Sequence, residues 1–156
     1  MAVSLTSPVT GAAQTGLTSP TYTLTNDVAN DVNGKQWAVT ALGGTQTGVV
    51  VSSVSSPFTV TFYRPKVLKT LGNPDPITGV VRSVPRNTFT VIVRKAVTPL
   101  AGQPTTNMVL KCTMDVPAGA DTADPASIRA GLSLLIGAMS QVSAGLGDTV
   151  VSGILG

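Results

Sequence analysis

A stretch of strict two-residue periodicity, followed closely by a helix with one apolar face, constrains this chain more than any other feature. Residues 105–114 read TTNMVLKCTM. Thr105, Asn107, Val109, Lys111 and Thr113 fall on one side, and Thr106, Met108, Leu110, Cys112 and Met114 on the other, the pattern of a half-buried strand. DVPAGADTADP then breaks the periodicity. Asp124 stands where a helix N-cap belongs, with Pro125 at the first helical position. Beyond it Ile128, Leu132, Leu135, Ile136 and Met139 share one helical face. A sheet with one greasy and one polar face is therefore followed by a helix able to cover the greasy one. The polar face stays free, and function is to be sought there.

The earlier segments supply more strands. Val3, Leu5 and Val9 lie among turn formers, and Tyr22 and Leu24 alternate with threonines, so residues 1–25 read as an N-terminal hairpin. Asn33-Gly34 is a strong turn signal, and Trp37, Val39 and Ala41 alternate with polar neighbours after it. Val49 to Val51 form a short apolar run of undefined type. Phe58, Val60 and Phe62 oppose Thr59, Thr61 and Tyr63, and Pro65 ends that strand. Phe89, Val91 and Val93 oppose Thr88, Thr90, Ile92 and Arg94. Residues 67–86, rich in glycine and proline, form a long connection with room for a small hairpin. Near the end, Gly145 and Gly147 are expected to separate two helices, the second capped by Asp148. The result is one α+β domain over residues 1–156: a hairpin (1–25), an antiparallel sheet (36–114) and two C-terminal helices (124–156).

Composition narrows the chemistry. The chain has no histidine and no glutamate, and one cysteine, Cys112. The commonest general base and metal ligand is thus missing, and no disulfide can form within the chain. No phosphate-binding loop, nucleophile elbow or zinc-ligand spacing occurs. Asp115, Asp121 and Asp124 fit turns and caps better than a metal site. A non-enzyme with no cofactor and no bound metal is expected. Cys112, on the apolar side, is expected to be a buried, inert thiol.

The N-terminus lacks the charged and apolar regions of a signal peptide, and residues 131–146 fall short of the ~20 mostly apolar residues of a membrane span. No membrane association is expected. Apolar surface in excess of what so short a chain can bury points to an obligate oligomer.

Charge is unevenly spread. Eight of the ten basic residues, opposed only by Asp75, lie between Arg64 and Lys111, giving that segment +7. The remainder, with two basic and six acidic residues, carries −4. A basic centre of this kind suits a polyanion. The polar sheet face gathers hydroxyls, an amide, an aromatic ring and cations, which suit single-stranded or hairpin RNA. Threonine is also simply a good residue for an exposed strand.

Taken in order, Asn33-Gly34 with Trp37, the run Phe58-Thr-Val-Thr-Phe-Tyr-Arg-Pro65, the run Asn87 to Lys95, the Asn107-Met108 pair and the C-terminal helices resemble the coat protein of the single-stranded RNA bacteriophages, the levivirus group. The resemblance implies an N-terminal hairpin, a five-stranded antiparallel sheet and two helices, in a homodimer whose helices interlock over the partner. It implies assembly into a T=3 icosahedral shell packaging genomic RNA, with a hairpin bound on the sheet and replicase translation repressed. The location implied is the virion, after synthesis in the cytoplasm of the bacterial host.

Carried over by position, the RNA contacts are Thr59, Thr61, Tyr63, Thr90, Ile92, Thr105, Asn107 and Val109. Ile92 stands where a familiar member has lysine, Val109 where it has an acid, and Tyr63 where one member has arginine. Lys66, Lys69, Arg82, Arg94 and Lys111 are expected to add less specific phosphate contacts. The loop at 98–104 matches the one lining the shell's symmetry axes but is shorter, while 67–86 departs from the family pattern. The alternative from another class is a dimeric RNA-binding regulator that forms no shell.

Overall fold

The computed structural model describes residues 2–155. Six antiparallel strands follow one another in chain order across a single sheet: β1 (Val9–Thr10), β2 (Thr18–Asp27), β3 (Gly34–Thr45), β4 (Phe58–Tyr63), β5 (Arg86–Val97) and β6 (Thr106–Pro117). Three helices come after them: α1 (Ala120–Ala123), α2 (Pro125–Gln141) and α3 (Ser143–Ser152). An antiparallel sheet with C-terminal helices was the architecture expected. The N-terminal hairpin is not a separate unit, because β2 pairs with β3 over its length and joins the main sheet. Its first strand shrinks to two residues, and residues 49–51 form no strand.

Local chemistry sets the boundaries. The Asp31 carboxylate accepts from the Asn33 backbone N–H (2.9 Å) and side chain (3.0 Å), shaping the turn into β3. Pro65 cannot donate to a ladder, and β4 stops before it. The register then decides the faces: Trp37 lies opposite Val60, Val60 opposite Val93, and Val93 opposite Leu110. On this apolar face the Trp37 and Phe62 rings meet edge to face at 5.9 Å, and Tyr22 and Phe58 at 5.6 Å.

Asp124 caps α2 as expected, accepting from the Ser127 N–H at 3.2 Å, with Pro125 as the first helical residue. The turn before it is wound into α1 instead of being open. The bend of 67° between α2 and α3 falls at Val142, not at the glycines. Gly145 and Gly147 lie inside α3, and Asp148 caps nothing. Gly147 is explained by close approach: a Cβ there would sit 1.9 Å from Gln14 Oε1. The same contact zone ties α3 to the β1–β2 turn, since Ser143 Oγ donates to Ala13 O (2.7 Å) and Gln14 Nε2 to Ser143 O (2.9 Å). Among the described residues no single helix is long and apolar enough to cross a membrane.

The expected covering of the apolar face is only half realised. α2 starts beside the end of β6, and α3 is fastened to the β1–β2 turn. Seventeen residues of helix reach about 25 Å, close to the roughly 24 Å width of six strands. The helix thus bridges the sheet from edge to edge, but it stands off from it. None of its residues is buried, and a cavity of about 940 Å³ separates it from the sheet, lined by Phe62, Phe89, Val91, Met114, Ile128 and Leu132. Among the described residues the buried hydrophobic side chains are Trp37, Val39, Ala96 and Ala118, joined by Pro20, a small core for 156 residues. Cys112 is half-exposed, not buried as its position on the apolar side suggested.

Candidate nucleic-acid interface and assembly surfaces

The face of the sheet away from α2 holds the residues singled out from sequence. Thr59 lies opposite Arg94, Thr61 opposite Ile92 and Tyr63 opposite Thr90. On the next strand Ile92 faces Lys111, Arg94 faces Val109 and Ala96 faces Asn107. Register therefore brings Thr59, Thr61, Tyr63, Thr90, Ile92, Arg94, Asn107, Val109 and Lys111 onto one surface. Thr105 precedes β6, and its hydroxyl donates to Ser55 O at 3.1 Å. Lys66 follows β4, exposed, with its ammonium 3.4 Å from Asp31.

These residues are not equally available. Thr61 has no exposed surface and Thr59 only 7%. The Thr61 hydroxyl donates to Gln36 Oε1 (2.9 Å), and Gln36 Nε2 donates to Asp27 Oδ2 (2.7 Å). One hydrogen-bonded string thus crosses β4, β3 and β2 over the same face. Sequence reasoning passed over Gln36 and Asp27, although Gln36 alternates with Trp37 and so had to share the polar side. Tyr63 donates its hydroxyl to Asn30 Oδ1 and lies against Gly34. Arg94 is half-buried, whereas Asn107, Val109 and Lys111 are exposed. Neither Arg94 nor Lys111 has an ion-pair partner among the described residues.

The face is also graded in charge. Asp27 lies on its β2 side, and Asp115, which accepts from the Thr88 hydroxyl, at one end of β6. Arg94 and Lys111 occupy the middle of β5 and β6. An anion meets cations and free hydrogen-bonding groups there, and carboxylates away from it. Lys69 and Arg82 belong to the 67–86 segment instead, where Arg82 pairs with Asp75 at 3.0 Å.

Two further surfaces lack partners. β6 ends the sheet, so its twelve residues leave one edge of backbone donors and acceptors unpaired among the described residues. The α2–α3 arm exposes Leu132, Leu135, Ile136, Met139, Leu146 and Val150 by 38–63%. An open polar face, a free edge and an unburied apolar arm are surfaces of the kind that mark interaction sites.

No family model matches the sequence, and no curated protein does. Among solved structures the chain is similar to the virus-like particle of bacteriophage ESE020, with 58% identity and a TM-score of 0.96. The match covers 99% of this chain and 100% of that one. Likeness of that degree over the full length shows that the chain belongs to the bacteriophage coat proteins.

Proposed function

We propose that this chain is the capsid subunit of a single-stranded RNA bacteriophage of the levivirus kind, built to dimerise and then to close into an icosahedral shell around RNA. The observation that carries the reading is the full-length likeness to a phage virus-like particle. The β6 edge and the standing-off α2 support dimerisation: a second copy would extend the sheet through β6 and fill the space beneath α2 with its own helices. The virion is the expected location, after synthesis in the bacterial cytoplasm.

RNA is assigned to the open sheet face. Lys111, Arg94 and Lys66 meet phosphate, Asn107 and Thr90 meet base edges or ribose hydroxyls, and Ile92 and Val109 provide apolar contact. Thr59, Thr61 and Tyr63 act beneath this layer as its support. The same face is the site for an operator hairpin and hence for repression of the replicase.

The test is expression alone in bacteria, followed by size-exclusion chromatography, electron microscopy and ultraviolet absorbance for nucleic acid. Closed particles holding host RNA are the expected result. A lone dimer that binds RNA without forming particles would replace this reading with that of a regulator. A dimer free of RNA even at low salt would remove the RNA assignment as well.

A further inference from the structure

Residues 67–85, on the way from β4 to β5, form no strand, yet they are held at both root and tip. At the root the Asn87 side chain bonds the Lys69 backbone twice, accepting from its N–H (2.8 Å) and donating to its carbonyl (3.0 Å). Leu71 lies so close to Gly119 that a Cβ there would sit 3.2 Å away. At the tip Asp75 is a hub. Its carboxylate accepts from the N–H groups of Ile77 (2.8 Å) and Thr78 (3.2 Å) and from Arg82, and its carbonyl accepts from Gly79 N–H (2.8 Å). The Asp75 carboxylate is thus bonded within the tip, and beside the exposed Arg82 the tip turns two apolar side chains outward: Ile77 is 93% exposed and Val80 58%. A long connection fixed in this way is a functional segment more often than a linker.

We propose that this tip, centred on Ile77 and Val80, docks on a second copy of the chain and joins one dimer to the next in the shell. The inference rests on the coat-protein reading above. The surfaces suited to the two-fold partner, the β6 edge and the underside of α2, lie elsewhere. Charge favours a copy as the occupant. Lys69 and Arg86 stand exposed at the root of the same segment and have no ion-pair partner among the described residues, while the sequence outside 64–111 carries −4. A shell repeats each contact many times, so a small apolar contact per subunit is enough to decide closure.

The experiment is an Ile77→Ser, Val80→Ser double variant of the full chain, compared with the unaltered chain by thermal melting and by light scattering of particles over a dilution series. The expected result is a dimer with unchanged melting, and particles that fall apart at a protein concentration about tenfold higher or more. In parallel, an Ile77→Cys variant is alkylated with a small reagent as dimer and as particle, with label at position 77 counted by peptide mass. Labelling at least about tenfold slower in the particle is expected. Particles of unchanged stability with equal labelling would overturn the contact alone, as would stable particles that have shed only their RNA. Absence of particles from the unaltered chain would overturn the coat reading and this contact with it.

Discussion

Tyr63 lies across Gly34, its direct cross-strand partner, so closely that a Cβ on Gly34 would come within 2.6 Å of the ring. The aromatic face is used against β3, and the hydroxyl is held by Asn30. Gly34→Ala must displace the ring or the strand and is expected to cost about 1–3 kcal/mol. Chemical denaturation of the variant checks this. Tyr63→Phe, which removes only the Asn30 bond, is expected to cost about 1 kcal/mol.

The hydrogen bond from Thr61 to Gln36 makes a second separation of support from contact. Thr61→Val keeps the shape but leaves Gln36 Oε1 without its donor, at an expected cost of about 1–2 kcal/mol. RNA affinity, measured by filter binding at fixed salt, is expected to stay unchanged once the protein is folded. A drop in affinity without loss of stability would return Thr61 to the contact layer.

Much of this was legible from residue order. Period-two alternation placed β4, β5 and β6 and their faces, because one slip of register would have turned Phe62 or Val91 to the polar side. Asp124-Pro125 gave the start of α2 for the same local reason. What the pattern did not carry was tertiary. Whether Thr61 touches solvent depends on Gln36 from another strand. The helix break falls at Val142, and Gln14, distant in sequence, bonds the Ser143 carbonyl just beyond it and fills the place of a side chain at Gly147. The distance of α2 from the sheet is invisible to helical periodicity, which reports that a face is apolar and not what covers it. The resemblance to phage coat proteins rested on the order of weak motifs, and it was the full-length likeness that made it firm.

Phosphate binding by cations predicts a salt signature. Lys111→Ala and Arg94→Ala should each weaken RNA binding at low salt and reduce the slope of log K against log salt by about 0.7 for each phosphate no longer neutralised. Competing RNA sequences should be affected alike, since a cation on phosphate reads no base. Binding isotherms at several salt concentrations decide this. An unchanged slope in both variants would move the polyanion off this face.

Acid should loosen the tip of the 67–86 segment. Backbone donation from Ile77 and Thr78, with Arg82 adding less, holds the Asp75 carboxyl below the ordinary carboxylate range. A depressed folded-state pKa means that the stabilisation is complete above the unfolded value, about 4, and fades as pH falls through the lower folded value. The Ile77 and Thr78 amide resonances should therefore keep their folded positions at pH 4 and shift only in stronger acid. Asp75→Ala should abolish those positions at every pH while leaving the sheet intact.

The side of α2 that meets the cavity should decide whether the chain dimerises. Leu132 and Leu135 line the space above Phe62 and Met114 and are 40% and 38% exposed in the single chain. Leu134, 74% exposed, is two residues beyond Leu132 and so roughly 200° round the helix, facing away. If a second copy fills the cavity, Leu135→Gln removes an apolar group from an interior and buries an amide, at a cost of about 2–5 kcal/mol to the dimer. Leu134→Gln costs the dimer almost nothing, because that side chain stays in water. Sedimentation equilibrium of the two variants separates the cases: Leu135→Gln is expected as monomer or aggregate, and Leu134→Gln as dimer or particle. Equal behaviour of the two would mean that the cavity closes by movement of α2 onto its own sheet, with no second copy in it.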